Sequence, residues 1–372
     1  MHDELHSPTA ADEPLIDGPR GSAPHGSGPL GARGVHRLCV APMMDWTDRH
    51  CRAFHRRFGA ELVLYTEMVT ARALLHGDAA GLLAHDRDEH PLALQLGGAE
   101  PEELAAAARL GADAGYDEIN LNVGCPSDRV ASGSFGAALM AEPERVAACV
   151  AAMRASVTIP VTVKCRLGID GAGCTGLDTD AHLHHFVDTV AAAGCTLFIV
   201  HARKAVLGGL SPKENREVPP LQYERVRALA ERNPQLEIVL NGGLTDAGAC
   251  RDALAWADGV MIGREAWHNP MALATMRAAL ADHAMADQAV TDDAPVDPLV
   301  LLQAHLPYVR AQLEAGQPLG RLVRPLLGLF HGRPGARAFR RHLSEQAHRP
   351  GAGIDVLLNA MAPLLERTRH AA

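Results

Sequence analysis

Eight short apolar runs, each trailed by a longer alanine-rich helical pattern, restrict the fold of this chain more than any other feature. The pattern predicts strands over Leu38–Ala41, Leu62–Tyr65, Leu92–Leu96, Glu118–Asn122, Val161–Lys164, Leu197–His201, Glu237–Leu240 and Gly259–Ile262. Most of these runs are nearly continuous in apolar residues, as strands covered on both faces must be. Helical patterns over Pro101–Ala114, Pro143–Ala155, Asp180–Ala193, Tyr223–Arg232 and Asp246–Ala255 lie between them. Eight strand–helix units over about 230 residues are what a (β/α)8 TIM barrel of the α/β class requires. A doubly wound sheet is the alternative, but the first strand–helix turn lacks a glycine-rich dinucleotide fingerprint.

The flanking segments have different compositions. Residues 1–34 are rich in Pro, Gly, Ser and His, and read as a disordered tail before a barrel domain over 35–280. Residues 281–298 carry five aspartates, two prolines and no Lys or Arg, and read as an acidic linker. Amphipathic patterns over Leu299–Leu313 and Ile354–Leu365 flank an arginine-rich stretch, so 299–372 reads as a small C-terminal helical domain. With 47% hydrophobic residues the chain can bury a sizeable core. Its eight cysteines form no C-x-x-C pair, which argues against a disulfide framework or a cysteine zinc site and for a reducing, cytoplasmic setting. No apolar run reaches the roughly 18 residues of a membrane span, and no signal-peptide pattern opens the chain. The sequence does not fix the oligomeric state; a monomer is compatible with it.

The formal net charge of −9 does not suggest nucleic acid, but its distribution does. Between Arg321 and Pro350 there are seven arginines (321, 324, 333, 337, 340, 341, 349) against one acid, Glu345. Such a concentrated basic segment in an acidic chain suits local phosphate binding; a solvated helix face accounts for it equally well. Only three of 35 basic residues are lysine, Lys164, Lys204 and Lys213, so the surviving lysines are candidates for positions that need a compact ammonium.

In a parallel barrel the C-terminal strand ends carry the chemistry. Here those ends hold Pro42-Met43-Met44, Gln95, Asn122 with Cys125, Lys164, His201, Asn241-Gly242-Gly243 and Gly263-Arg264. Taken alone, Cys125 reads more readily as a small buried hydrophobe than as a catalyst, and each glycine turn equally well as ordinary loop geometry. Together, in barrel order, they fit a bound flavin mononucleotide. The glycine turns after strands seven and eight allow close backbone approach to a phosphate, and Arg264 adds a charge-assisted contact. Lys164 and His201 suit the N1/O2 side of a reduced flavin, Gln95 its polar edge, and Pro42, Met43 and Met44 its apolar underside.

The chain also resembles the tRNA-dihydrouridine synthases, and within them the A subfamily, from about Leu38 to Asn359. The residues carrying the resemblance are Ala41-Pro-Met-Met-Asp-Trp-Thr-Asp-Arg-His-Cys51, Leu64-Tyr-Thr-Glu-Met-Val-Thr70, Gln95-Leu-Gly-Gly98 and Asn120 to Arg129. They continue through Val161-Thr-Val-Lys164, His201-Ala-Arg-Lys204, Leu210-Ser-Pro-Lys-Glu-Asn-Arg216, Asn241-Gly-Gly243, Gly263-Arg-Glu265, Leu327-Gly-Leu-Phe-His-Gly332 and Gly335-Ala-Arg337. Cys165 stands where the family pattern suggests threonine or a similar residue; its side chain is expected to point away from the rim.

The resemblance implies an FMN oxidoreductase that uses NADPH to reduce uridines of the tRNA D-loop, at positions 20 and 20a, to 5,6-dihydrouridine. Hydride would pass from flavin N5 to C6 of the uracil, and a proton to C5. Cys125 is the implied general acid, since an ordinary thiol, with a pKa of about 8.5, is mostly protonated at neutral pH. Asn122 is the implied reader of the uracil edge through an amide pair, with the base flipped out of its stack into the barrel mouth. Lys213 and Arg216, with Arg337 and Arg340, are the implied tRNA contacts, mainly to phosphates. Three rival readings differ in what they need. An FMN barrel acting on a free pyrimidine needs no basic C-terminal segment. A metal-dependent barrel hydrolase is prompted by His182-x-His184-His185, but that triplet falls on a predicted helix rather than a strand end. A non-catalytic tRNA-binding factor needs neither Cys125 nor a flavin.

Overall fold

The computed structural model describes residues 30, 33–126, 135–171, 174–284 and 296–371. Eight parallel strands form its centre: β1 (Leu38–Val40), β2 (Val63–Tyr65), β3 (Leu92–Gly97), β4 (Glu118–Val123), β5 (Val161–Arg166), β6 (Leu197–His201), β7 (Glu237–Asn241) and β8 (Gly259–Ile262). Each pairs with its sequence neighbours, and β1 pairs with β8, so the sheet closes into a (β/α)8 barrel. All eight lie where the apolar runs predict them, to within two residues at either end.

The helices begin where local chemistry directs. Asp48, Thr179 and Asp246 each accept backbone N–H groups at the start of Arg49–His55, Asp180–Ala192 and Ala247–Leu254. Proline opens Pro101–Asp113, Pro143–Ser156 and Pro298–Glu314, where its missing N–H costs nothing. Three short strands escape the pattern: Val69–Thr70, and the pair Ile169–Gly171 with Ala205–Leu207, which joins the loops after β5 and β6. They are too short and glycine-bounded to show an alternation.

The strands' alternation divides the core in two. Leu94, Leu96, Ile119, Leu121, Val163, Cys165, Phe198, Val200, Ile238 and Leu240 face the helices. Cys165 therefore points away from the rim, as expected. Cys39, Ala41, Val63, Tyr65, Ala93, Leu197, Ile199, Val239 and Met261 fill the barrel interior, joined at the floor by Leu30. Most of the segment read as a tail lies outside the described residues. Its described end is attached, since Arg33 pairs with Asp258 at 2.8 Å and donates to the Pro234 carbonyl.

After the barrel, helix Met271–Ala284 runs into the segment read as a linker, and Asp297 caps Pro298–Glu314; residues 285–295 of that segment lie outside the described residues. Further helices over Leu319–Leu322, Ala336–Gln346 and Ile354–Ala371 complete the C-terminal region. It docks on the loop after β1. Trp46 stacks on Trp267 (5.3 Å, 10°), Arg324 lies over the Trp267 ring and donates to the Asp45 carbonyl, and Arg321 pairs with Asp48. Gly328 permits this approach, because a Cβ there would stand 2.6 Å from the His268 carbonyl oxygen. Among the described residues no helix is long and apolar enough to cross a membrane.

One wall of the barrel interior is polar. At its floor His36, fully buried, meets Glu118 at 2.6 Å and Glu237 at 3.5 Å. Burial disfavours charge on His36, but Glu118 and Glu237 outweigh it and push its pKa up to about 10. The folded protein thus keeps a proton that the unfolded chain sheds above about pH 6.5. The stabilisation is complete below about pH 6.5 and fades as pH rises towards about 10. The urea midpoint is expected to fall between those values, and to fall less steeply in His36→Gln; equal slopes for the two proteins would refute this.

Candidate active site

The strand β4 ends at Gly124-Cys125-Pro126, where proline has no N–H to continue a ladder. The Asn122 Oδ1 accepts the backbone N–H of Gly124 (3.1 Å) and of Cys125 (2.9 Å), closing an Asx turn that sets Cys125, partly exposed, on the rim. Ser127 lies outside the described residues. In register, Asn122 faces Lys164 across β5.

Arg166, two residues beyond Lys164 and on the same face, secures this turn from below. Its Nε donates to the Gly124 carbonyl (2.8 Å), and its Nη1 to the carbonyls of Asn215 (3.0 Å) and Lys204 (3.2 Å). Burial lowers its pKa to about 10, so it remains a cation at neutral pH. One buried guanidinium thereby joins the turn after β4 to the loop after β6. The same loop is held internally by Asn215, fully buried, whose side chain bonds both the N–H and the carbonyl of Val206. Neither Arg166 nor Asn215 carries a role in the sequence reading. The signal available was a charged residue in register with Lys164 on an interior face.

Lys164 donates to the Asn241 Oδ1 (2.9 Å), and Asn241 in turn donates to the Met261 carbonyl, so β5, β7 and β8 meet at one point. Burial, with Arg166 adding to it, pushes the Lys164 ammonium down to about 8. His201 ends β6 beside them. Burial first, then Arg166, Lys164, Arg203 and Arg264, holds its pKa well below the ordinary histidine value, so it is a neutral imidazole. Gly242 has φ +109, and a Cβ there would stand 2.7 Å from His201 Cδ2; only glycine lets the ring lie against this turn. The Tyr223 hydroxyl holds the Gly242 carbonyl at 2.6 Å, and Gly243 also has positive φ. At Gly263 a Cβ would meet nothing within 4 Å, leaving open space at the end of β8. Arg264 pairs with Glu217 at 2.6 Å, bridging the loops after β8 and β6.

On the opposite side, Pro42 and Met43 are half-buried and Met44 is exposed. Thr47 fixes Met43 through both its N–H and its carbonyl. Gln95 is buried within the wall: its Oε1 accepts from Asn122 Nδ2 and its Nε2 donates to Asn120 Oδ1, both at 2.8 Å. Asn122 has therefore committed its oxygen to the turn and one amide hydrogen to Gln95. A single hydrogen remains to offer at the rim, rather than a donor–acceptor pair.

Lys213 and Arg216 are exposed on the loop after β6; Arg337 and Arg340 are exposed on Ala336–Gln346, with Arg333 and Arg341 beside them. Among the described residues no carboxylate pairs with any of these five arginines, whereas Arg321 and Arg324 are spent on holding the C-terminal region to the barrel. Lys204 bridges Asp170 (2.7 Å) and Asp178 (2.9 Å), a use suited to a compact ammonium. His182, His184 and His185 lie on helix Asp180–Ala192, where His182 bonds the Met140 carbonyl and His185 lies near Glu144. Among the described residues no three His, Cys, Asp or Glu side chains converge to hold a metal ion.

The signature of the family described as dihydrouridine synthase (Dus) matches residues 39–363. The chain is 52% identical over 336 residues to a protein of Xanthomonas campestris named tRNA-dihydrouridine(20/20a) synthase, covering 90% of this chain and 96% of that one. Proteins of the same name from Shewanella oneidensis and Yersinia pestis are 54% identical over 318 residues and 52% identical over 330. These alignments cover 86% and 88% of this chain, and 91% of each relative.

The Gly242 turn yields a direct test. Gly242→Ala forces a Cβ onto His201 at a positive φ, and is expected to cost ~1–3 kcal/mol of unfolding free energy. An unchanged urea midpoint would mean that the turn rebuilds around the added carbon.

Proposed function

This chain belongs to the dihydrouridine synthase family, and we propose from that premise that it uses FMN and NADPH to reduce D-loop uridines of tRNA, at positions 20 and 20a, to 5,6-dihydrouridine. It is an oxidoreductase acting on tRNA uridines. The observation that carries the finer reading is the rim itself, where Cys125, Lys164, neutral His201 and the Gly242 turn come from four strands and are tied together by Arg166 and Asn241.

The residues present suit a flavin mononucleotide. Gly263 leaves room for a close backbone approach, Arg203 and Arg264 add positive charge nearby, and Met43 and Met44 offer an apolar surface across the mouth. Pro42, Met43, Met44, Gln95, Lys164, His201, Asn241, Gly242, Gly243, Gly263 and Arg264 are the residues assigned to it, Gln95 from within the wall. When bound, the flavin supplies a hydride equivalent to C6 of the uracil, after reduction by NADPH.

The chain's own residues do the rest. Cys125 Sγ gives the proton to C5, with its turn held on both sides by Asn122 and Arg166. Asn122 offers its one remaining amide hydrogen to the uracil edge, which helps to orient the base. Lys164, a cation below about pH 8, stabilises negative charge developing at the ring. His201 stays neutral and serves as a hydrogen-bonding partner. Lys213, Arg216, Arg337 and Arg340 hold tRNA phosphates, so that the target base reaches the mouth. The setting proposed is cytoplasmic, in keeping with buried free thiols at Cys39, Cys51, Cys149, Cys165, Cys195 and Cys250.

The reading is tested by incubating the protein with NADPH and unmodified tRNA and mapping dihydrouridine by mass spectrometry. Cys125→Ala should retain the flavin and its reduction by NADPH but lose uridine reduction by about a hundredfold or more. Full activity in that variant would remove the thiol from the chemistry. Arg337→Ala combined with Arg340→Ala should weaken tRNA binding with the yellow colour intact. The variant should also flatten the dependence of log K on log salt by about two units. An unaltered salt slope would take this helix out of the interface.

A further inference from the structure

Barrel interiors are usually packed with branched apolar side chains, and between its floor, where Glu237 meets His36, and its rim the wall formed by β6, β7 and β8 follows that rule with Leu197, Ile199, Val239 and Met261. The wall formed by β3, β4 and β5 does not. From the rim down it carries Asn122, Gln95, Asn120, Thr162 and Glu118, each bonded to the next. The Asn122 Nδ2 donates to Gln95 Oε1 (2.8 Å), Gln95 Nε2 to Asn120 Oδ1 (2.8 Å), Asn120 Nδ2 to Thr162 Oγ1 (2.8 Å), and Thr162 Oγ1 to Glu118 Oε1 (2.6 Å).

This chain has a direction, and both ends impose it. At the top, two backbone N–H groups point at Asn122, so its oxygen must face them and its nitrogen must face Gln95. At the bottom, the Glu118 carboxylate also takes the Tyr65 hydroxyl (3.0 Å) and His36 Nε2 (2.6 Å), so Thr162 must donate downward and accept from above. Reversing Gln95 would set donor against donor at Asn122 and acceptor against acceptor at Asn120. Gln95, Asn120, Thr162 and Glu118 are at most 2% exposed, so water cannot compensate for such a flip.

We infer that Asn120, Thr162 and Glu118 are positioning residues: with Gln95 they form a one-way hydrogen-bond relay that holds the Asn122 side chain, and through it the Cys125 turn, in the orientation used for proton delivery. The inference rests on the assignment of Cys125 as the acid in the proposed function. The relay explains why the amides sit in the wall at all: a smooth apolar wall could not supply the Asn122 Nδ2 with an acceptor.

Thr162→Val, nearly equal in volume, severs the relay at its middle, and Thr162→Ser restores it. Two readouts on the flavin-loaded protein test the idea. Hydrogen exchange at the Gly124 and Cys125 amides should quicken by about tenfold in Thr162→Val and return to the original rate in Thr162→Ser. Oxidation of the reduced flavin by tRNA should slow by about ten- to a hundredfold, with flavin reduction by NADPH unchanged. Original exchange rates at Gly124 and Cys125 in Thr162→Val overturn the relay. Equal slowing of both half-reactions overturns the positioning role, because general loosening does not single out the uridine step. Failure of the unaltered protein to form dihydrouridine sinks the proposed function, yet the exchange comparison still decides the relay. Should Thr162→Val not fold, atomic-resolution diffraction from the unaltered protein decides instead: oxygen of Asn122 towards Gly124 supports the relay, nitrogen there overturns it.

Discussion

A carboxylate with no exposed surface, Glu118, stands in the barrel interior, and its need for donors organises the wall above it. Leaving such a group unpaired costs several kcal/mol. The fold meets that need with three side chains from separate strands and from the segment before β1: Tyr65, Thr162 and His36. Two of these reach it from β2 and β5, so the strands flanking β3 and β4 must be in register for the group to be satisfied at all. The polar groups above it then follow in sequence up to the rim. The middle of the opposite wall packs with ordinary apolar residues, and its one carboxylate, Glu237, lies at the floor beside His36.

At the rim the problem is different. Loops from separate strand ends must be held as one surface, although none has a core of its own. Arg166 does this for the turn after β4 and the loop after β6, through three carbonyls on one guanidinium. Arg264 and Glu217 join the loops after β8 and β6. Tryptophan stacking joins the loop after β1, through Trp46, to the helix after β8, through Trp267, and Arg324 of the C-terminal region lies over the Trp267 ring. The arginine-rich segment therefore divides by role. Its first members fix the helices to the barrel, and this leaves Arg333, Arg337, Arg340 and Arg341 outside the interface they create.

Much of this was legible in the sequence. The strands were readable because burial on both faces demands continuous apolar runs, and the helices because caps and N-terminal prolines mark their starts. The strand-end residues could be gathered on one rim because a parallel barrel leaves them nowhere else to go. Arg166 was visible as a residue but not as a tie, because its partners are backbone carbonyls, which every residue carries. Asn122 read as a free amide, since the Asx turn that occupies its oxygen becomes apparent only once the chain bends at Gly124. The Ile169–Gly171 and Ala205–Leu207 pair was invisible for a similar reason: three residues are too few to show a period.

The sequence by itself determined the architecture, the set of residues at the mouth and the family to which the chain belongs. Those are properties of patterns along the chain, and alternation dictates which side chains share a face. What only the tertiary structure decided is how those side chains are occupied. Asn122 is turned towards its own backbone, Gln95 is buried between two amides, Arg264 is balanced by Glu217, and Arg321 and Arg324 are spent on docking. Apart from the Asn122 turn, which is local, each of these depends on a partner 25 to 279 residues away in sequence. Closure of the barrel brings such partners within hydrogen-bond distance, and no local pattern encodes it.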